Sequence, residues 1–283
     1  MQHLDGKALS CAIKATLKKE VEDLASKGVV PGLAVILVGD DAASHTYVAM
    51  KAKACKEVGI YSISHEMPSS ISQDEILSTI EMMNQNPHIH GILVQLPLPA
   101  HIDTTTILEA ITPSKDVDGF HPYNIGQLVA KLEGFVPATP LGVMRLLEHY
   151  HIDVTGMNAV VVGASNIVGK PMASLLLNAN ATVTTCHIYT KDLASHTRNA
   201  DILCVGVGKV GLITADMVKE GAIVVDIGIN KVGDKLVGDV DYEGVAPKCS
   251  YITPVPGGVG PMTIAMLLEN TVKAAMWSMK DAR

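Results

Sequence analysis

Apolar residues Ile13, Leu17, Val21 and Leu24 recur at helical spacing and run up to Gly28, which predicts an amphipathic first helix. The pattern then changes period. Leu33 to Val38 is an unbroken apolar run that ends at Gly39, as expected of a strand buried on both faces. Ser44 to Val58 reads as a helix closed by Gly59, and a strand follows near Tyr61–Met67. Ser72, with Glu75 three residues on, has the spacing of a capping box and opens the next helix. Gly91 to Pro97 is a second buried strand, interrupted by one polar residue, Gln95. Strands alternating with helices predict a parallel α/β sheet.

Between Thr112 and Pro140 the periodicity weakens, and Pro113, Pro122, Pro137 and Pro140 fall in this stretch with several glycines. It is the best candidate for an interdomain boundary. A helix from Leu141 to about Tyr150 leads into a second α/β unit with strands at Ala159–Gly163, Ala181–Cys186, Ile202–Val205 and Ala222–Ile227. The expected organisation is therefore two domains, 1–140 and 141–261. A final helix, 262–283, is expected to pack back on the first.

Composition narrows the classes. The 283 residues are 48% hydrophobic and 18% charged, enough for a large core and unlike a disordered chain. A net charge of −7 argues against nucleic acid or an anionic membrane as partner. No run reaches the length of a membrane span, and the first residues lack the apolar core of a secretory leader. The five cysteines are scattered without a C-x-x-C pair, which fits free thiols in a reducing cytoplasm. Among the eleven histidines, His88 with His90 and His149 with His151 are the closest pairs. Neither has metal-ligand spacing, so no metal site is expected.

Several places carry candidate chemistry. Gly257, Gly258 and Gly260 stand among Pro254, Pro256 and Pro261 just before the last helix. This rigid loop, poor in side chains, suits either a flat ligand against the main chain or a plain stiff connector. Gly163 ends a strand and Gly169 opens a helix, the layout of a dinucleotide-binding turn, although Ser165 replaces the second glycine of that fingerprint. The next strand ends in Cys186, His187, Ile188, Tyr189, Thr190 and Lys191, with no acid to hold the ribose hydroxyls of NAD. His187, Lys191 or Arg198 could face a 2′-phosphate instead, which favours NADP.

Tyr47 and Lys51 lie four residues apart on one helical face. The same Y-x-x-x-K spacing occurs in short-chain dehydrogenases, but there it follows the glycine turn, and here it precedes Gly163 by a whole domain. Gln95 lies near the carboxyl end of its strand, the edge where such sheets bind ligands. Asp118, before Gly119, could accept two hydrogen bonds from an amino-heterocycle or simply make a turn.

Taken together, the chain resembles the bifunctional methylenetetrahydrofolate dehydrogenase/methenyltetrahydrofolate cyclohydrolase family. The matching segments are Val38-Gly39 with Ser44, Tyr47 and Lys51, Gly91–Leu98, Lys115–Gly119, Val162–Gly169, Asp226–Asn230 and Pro254–Thr263. The resemblance implies two α/β domains, the second Rossmann-like, with the active site in the cleft between them, a homodimer, a folate substrate and NADP. It implies that Lys51 is the catalytic lysine, supported by Gln95, that Tyr47 packs against and orients the folate, and that Asp118 holds the pterin ring. Gly257 and Gly258 would border the substrate. Gly163, Ala164 and Ser165 would meet the cofactor phosphates, and Ile229 the nicotinamide end. One departure stands out: Ile188 takes a position where many members carry serine or arginine, which leaves NAD open beside NADP.

Overall fold

The structure is a computed structural model that describes residues 1–281. In chain order its elements are β1 (Gln2–His3), α1 (Gly6–Ser26), β2 (Gly32–Val38), α2 (Ala42–Val58), β3 (Tyr61–Met67), α3 (Gln73–Gln85) and β4 (Gly91–Val94). Three helices follow, α4 (Thr104–Glu109), α5 (Pro122–Val129) and α6 (Ala138–His149). Then come β5 (Asn158–Val162), α7 (Gly169–Asn178), β6 (Thr182–Cys186), α8 (Leu193–Thr197), β7 (Ile202–Val205) and β8 (Ile223–Asp226). The chain ends with β9 (Asn230–Val232), β10 (Lys235–Val237), α9 (Tyr242–Val245), β11 (Tyr251–Ile252) and α10 (Val259–Asp281). The expected final helix thus begins three residues early, and positions 282 and 283 lie outside the described residues.

The chain divides into two compact units. One gathers residues 12–127, 133–136 and the chain from Ile264 onward; the other gathers 1–11, 128–132 and 137–263. Residues 1–11, expected in the first domain, belong to the second unit. The reason is sheet pairing: β1 lies parallel to β11, with Gln2 N–H donating to Ser250 O and Leu4 N–H to Ile252 O.

In the 12–127 unit the sheet order is β3-β2-β4, all parallel, with β2 central and buried along its whole length. Ala34, Ile36 and Val38 on one side of β2 pack with Ile76, Ile80 and Met83 of α3 and with Ile92 and Val94 of β4. The capping box at Ser72 and Glu75 is present in full. The chain leaves β2 toward β3 on one side and later adds β4 on the other, so the strand order reverses there. Such a reversal is where an open parallel sheet binds ligands, beyond its carboxyl edge. Gln95 follows β4 at that edge, its N–H bonded to Ile36 O.

The other unit holds a six-stranded, all-parallel sheet in the order β1-β11-β8-β7-β5-β6. From β5 the chain steps to β6 on one side and then to β7 on the other, which sets a second switch point at the carboxyl ends of β5 and β7. Val160, Val162, Leu203, Val205, Val224 and Ile252 form the middle of its core. The antiparallel hairpin β9–β10 stands apart from that sheet. Among the described residues, no helix is long and apolar enough to cross a membrane.

Candidate active site

α2 is set by its ends. The Asp41 side chain accepts from Ser44 N–H at the start, and Gly59 closes the helix with φ +88°. Its buried stripe runs Ser44, Val48, Cys55 and Val58, and Lys51 falls in step between Val48 and Cys55. A lysine therefore occupies a core-facing position. Its Nζ donates to Gln95 Oε1 at 3.0 Å, and Gln95 Nε2 donates to Leu96 O at 2.9 Å, which orients the amide with its carbonyl toward the lysine. Burial pulls the Lys51 ammonium below its ordinary pKa of 10.5, and the charges of Asp118 and Cys55 oppose that fall only in part. Tyr47, half-buried one turn earlier, has its phenol pushed up by burial.

Asp118 sits in a loop held on every side. Lys115 Nζ donates to three carbonyls around the end of α3, those of Met83, Asn84 and Asn86. The buried carboxylate of Asp116 accepts from the N–H groups of Phe120 and His121 and from Asn124 Nδ2. Asn270 Nδ2 donates to Val117 O at 2.8 Å. Asp118 is different: among the described residues, nothing donates a hydrogen bond to its carboxylate. Burial pushes its pKa up to about 6, with the Lys51 charge pulling the other way and Asp116 adding to the rise. A carboxylate without donors, electrostatically coupled to a desolvated lysine, is poised to take donors from a ligand.

In the sheet of six strands, the turn after β5 is built for close approach. Gly163 has φ +119°, and a Cβ there would strike Gly206 O; a Cβ on Gly169 would strike Gly163 O. Ser165 Oγ accepts from the N–H groups of Val168 and Gly169, so the serine closes the start of α7 itself. Ala164 lies between Gly163 and Ser165. This cradle, where β5 meets the N-terminus of a ten-residue helix, has the close backbone approach that a dinucleotide pyrophosphate requires. Ile229 is exposed just past β8.

Beyond β6, Ile188 and Tyr189 are 91% and 85% exposed. The three candidate cations divide. Arg198 is engaged by the Asp216 carbonyl and carboxylate, whereas His187 Nδ1 accepts from Tyr189 N–H, and exposed Lys191 is not tied to a carboxylate within the described residues.

The structure thus joins Lys51 to Gln95 directly and to Asp118 through charge, with Tyr47 on the same helix. Gly257 and Gly258 have a local role as well. Lys7 N–H donates to Gly257 O, and Gly258 is buried so closely against Gly6 that a Cβ on Gly6 would strike Gly258 O. Two residues carry no role in the sequence pattern, Asp226 within a matching segment and Asp239 outside any; both are buried beneath the loops past β7 and β8. Asp226 lay in plain view within a recognised segment, but two of its three carboxylate partners come from thirteen and fourteen residues further on, where no local pattern marks them.

Comparison with known proteins agrees with this layout. Residues 4–118 match the family model for the tetrahydrofolate dehydrogenase/cyclohydrolase catalytic domain, and residues 137–279 the model for its NAD(P)-binding domain. The chain is 74% identical over 276 residues to the bifunctional protein FolD of a Nitratiruptor species, covering 97% of this chain and 98% of that one. Among solved structures it is similar to the bifunctional FolD methylenetetrahydrofolate dehydrogenase/cyclohydrolase of Campylobacter jejuni, with TM-score 0.96, 61% identity, and 98% and 99% of the two chains covered. It also resembles the Trypanosoma brucei FolD, solved with NADP cofactor and inhibitor, with TM-score 0.94, 39% identity, and 98% and 97% covered. A central parallel sheet with a half-buried lysine on α2, a second with a glycine cradle after β5, and these matches across both halves lead to one conclusion: the chain belongs to the tetrahydrofolate dehydrogenase/cyclohydrolase family.

Proposed function

We infer that this protein oxidises 5,10-methylenetetrahydrofolate to 5,10-methenyltetrahydrofolate with NADP and then hydrolyses the product to 10-formyltetrahydrofolate, in one-carbon metabolism. The single observation that carries the site reading is the Lys51–Gln95 hydrogen bond at 3.0 Å, made by a lysine whose pKa burial depresses.

NADP, when bound, accepts the hydride that leaves the methylene carbon. The amidinium so formed is already stabilised by two nitrogens, so no proton has to leave and orientation is the main demand. Gly163, Ala164 and Ser165 would hold the cofactor phosphates, Ile229 would border the nicotinamide, and Gly257 and Gly258 would border the folate. Tyr47 would pack against the folate and Asp118 would take hydrogen bonds from its pterin ring.

Hydrolysis makes a different demand, because water must lose a proton as it attacks the methenyl carbon. An ordinary lysine is a poor base at neutral pH. Desolvation at Lys51 favours the neutral amine, and the Gln95 carbonyl aims it, so Lys51 is the base of the reading. Lys51→Met is expected to abolish the cyclohydrolase and to keep substantial hydride transfer. A Lys51→Met enzyme that opened synthetic methenyltetrahydrofolate at the wild-type rate would overturn this role. Running 5,10-methylenetetrahydrofolate once with NADP and once with NAD tests the cofactor; no reduction with either sinks the dehydrogenase.

The protein is further taken to work as a cytoplasmic homodimer. Five free cysteines support the compartment, and light scattering of the purified protein tests the assembly.

A further inference from the structure

Asp239 is fully buried, yet its carboxylate serves the surface. Oδ2 accepts from Val207 N–H at 2.6 Å and Gly208 N–H at 3.0 Å, in the exposed turn that follows β7. Oδ1 accepts from Asn230 Nδ2 at 2.8 Å, just after β8 and next to Ile229. One carboxylate thereby ties together two loops that leave neighbouring parallel strands at their carboxyl ends.

Asp239 is itself held. The Asp226 carboxylate, at the end of β8, accepts from the N–H groups of Gly228, Asp239 and Val240, each at 3.0 Å. The fit leaves no room for side chains nearby. A Cβ on Gly228 would strike the Asp239 carboxylate, and one on Gly238 would strike that of Asp226. Burying two carboxylates this close is unfavourable by itself, and five main-chain N–H groups and one amide offset it. A plain turn needs no such arrangement.

What the arrangement holds explains its use. The Cβ position of Gly163 meets Gly206 O and Val207 Cγ1, so the turn that Asp239 fixes is also a wall of the glycine cradle. Gly206 in turn packs toward Ile227. The loops past β5, β7 and β8 form one contiguous surface, and the Asp239 carboxylate lies beneath two of them.

We propose that Asp239, itself set by Asp226, is a positioning residue for hydride transfer: it fixes the Val207–Gly208 turn and Asn230 so that the loops past β7 and β8 receive the nicotinamide half of the cofactor. This rests on the reading of this unit as the NADP site. The carboxylate touches neither cofactor nor substrate; it acts through the loops.

The test is Asp239→Asn in the full-length enzyme. The new amide oxygen can still accept from Val207 and Gly208, but its NH2 group then faces the NH2 of Asn230 and the tie between the loops breaks. The KM for NADP is expected to rise about tenfold, the scale of one buried hydrogen bond to a charged group, and the dehydrogenase kcat to fall with it. Cyclohydrolase on synthetic methenyltetrahydrofolate should stay near wild type, while the melting temperature drops modestly for the unmet Asn230 donor. Adding Asn230→Asp to Asp239→Asn swaps donor and acceptor and should restore the NADP kinetics. Should Asp239→Asn not fold, Asn230→Ala alone breaks the same tie and should raise the same KM.

Unchanged NADP kinetics in these variants would overturn the proposal. So would loss of both activities in step with the melting temperature, without rescue by the swap, since that marks a residue needed only for folding. Failure of the NADP reading itself would show separately, as wild-type enzyme that neither binds nor reduces NADP.

Discussion

The Nζ of Lys51 lies 3.0 Å from Oε1 of Gln95, and the other end of that amide is held by the Leu96 carbonyl. The amide cannot reverse without setting its NH2 against the lysine and its oxygen against a carbonyl. Replacing it with a carboxylate keeps the shape, adds a negative charge beside the lysine and gives up the bond to Leu96 O. In Gln95→Glu the new anion favours the ammonium form and should move the cyclohydrolase pH profile to the alkaline side by about 1–3 units. Rates on synthetic methenyltetrahydrofolate across pH read this directly. An unmoved profile would mean that the base is not Lys51.

Asp116 and Asp118 stand two residues apart and predict opposite phenotypes. Asp116 accepts three hydrogen bonds and shapes the loop, so Asp116→Asn should cost about 1–3 kcal/mol of stability by leaving one donor unmet. Asp118 accepts none among the described residues, so Asp118→Asn should leave the melting temperature near wild type. It should instead raise the KM for the folate by about tenfold or more, as for the loss of a charged hydrogen-bond partner to the substrate. Paired melting curves and kinetics separate the two. If Asp118→Asn destabilises as much as Asp116→Asn, the division of labour is wrong.

Much of this was legible in the chain. The apolar run of β2, the Ser72–Glu75 cap and the Gly59 stop are local signals, and each sits where the pattern predicts it. Lys51 was legible by its spacing from Tyr47, whereas its place on the buried stripe of α2 between Val48 and Cys55 emerges only with the fold. What stayed hidden depends on distant pairing. β1 and β11 are two residues each and exist because they lie beside one another and β8, which no window of sequence reveals. The hairpin β9–β10 carries little apolar alternation to announce it. Asp239 looks like any loop aspartate until the fold lays Val207, Gly208 and Asn230 around it.

Burial, helped by the charge of Asp239, pushes the Asp226 carboxyl up to about 6, against hydrogen bonds that pull it down. The folded protein therefore holds this proton over a range where the unfolded chain, near 3.8, has lost it. Stability from this group is complete below about pH 4 and is lost as pH rises through 6. A shift of about two units corresponds to roughly 3 kcal/mol. Other carboxylates titrate in the same range, so the difference from Asp226→Asn isolates it. The stability of wild type relative to Asp226→Asn should fall by about that amount between roughly pH 4 and 7, read from urea midpoints. A flat difference would mean that Asp226 titrates normally.

With the cofactor placed as proposed, its choice turns on the exposed end of β6. Arg198, charged and nearby in sequence, is already engaged: its Nε donates to Asp216 O at 2.7 Å and its guanidinium pairs with the Asp216 carboxylate. His187 uses Nδ1 to accept from Tyr189 N–H, which keeps its proton on the other nitrogen while the ring is neutral. Lys191 is exposed and bound to no carboxylate among the described residues, and Ile188 and Tyr189 offer a 2′-phosphate nothing from their side chains but a phenol. Discrimination between NADP and NAD should therefore rest on Lys191. Lys191→Glu sets a negative charge against the phosphate and should lower the NADP-to-NAD ratio of kcat/KM by about tenfold or more, a change of at least about 1.4 kcal/mol. Arg198→Ala should leave that ratio within about twofold, because the arginine's charge is spent on Asp216 in an exposed pair of small energy. Both ratios come from one pair of saturation curves per variant. If Arg198→Ala moves the ratio and Lys191→Glu does not, the arginine must leave Asp216 when the cofactor binds, and the assignment to Lys191 fails.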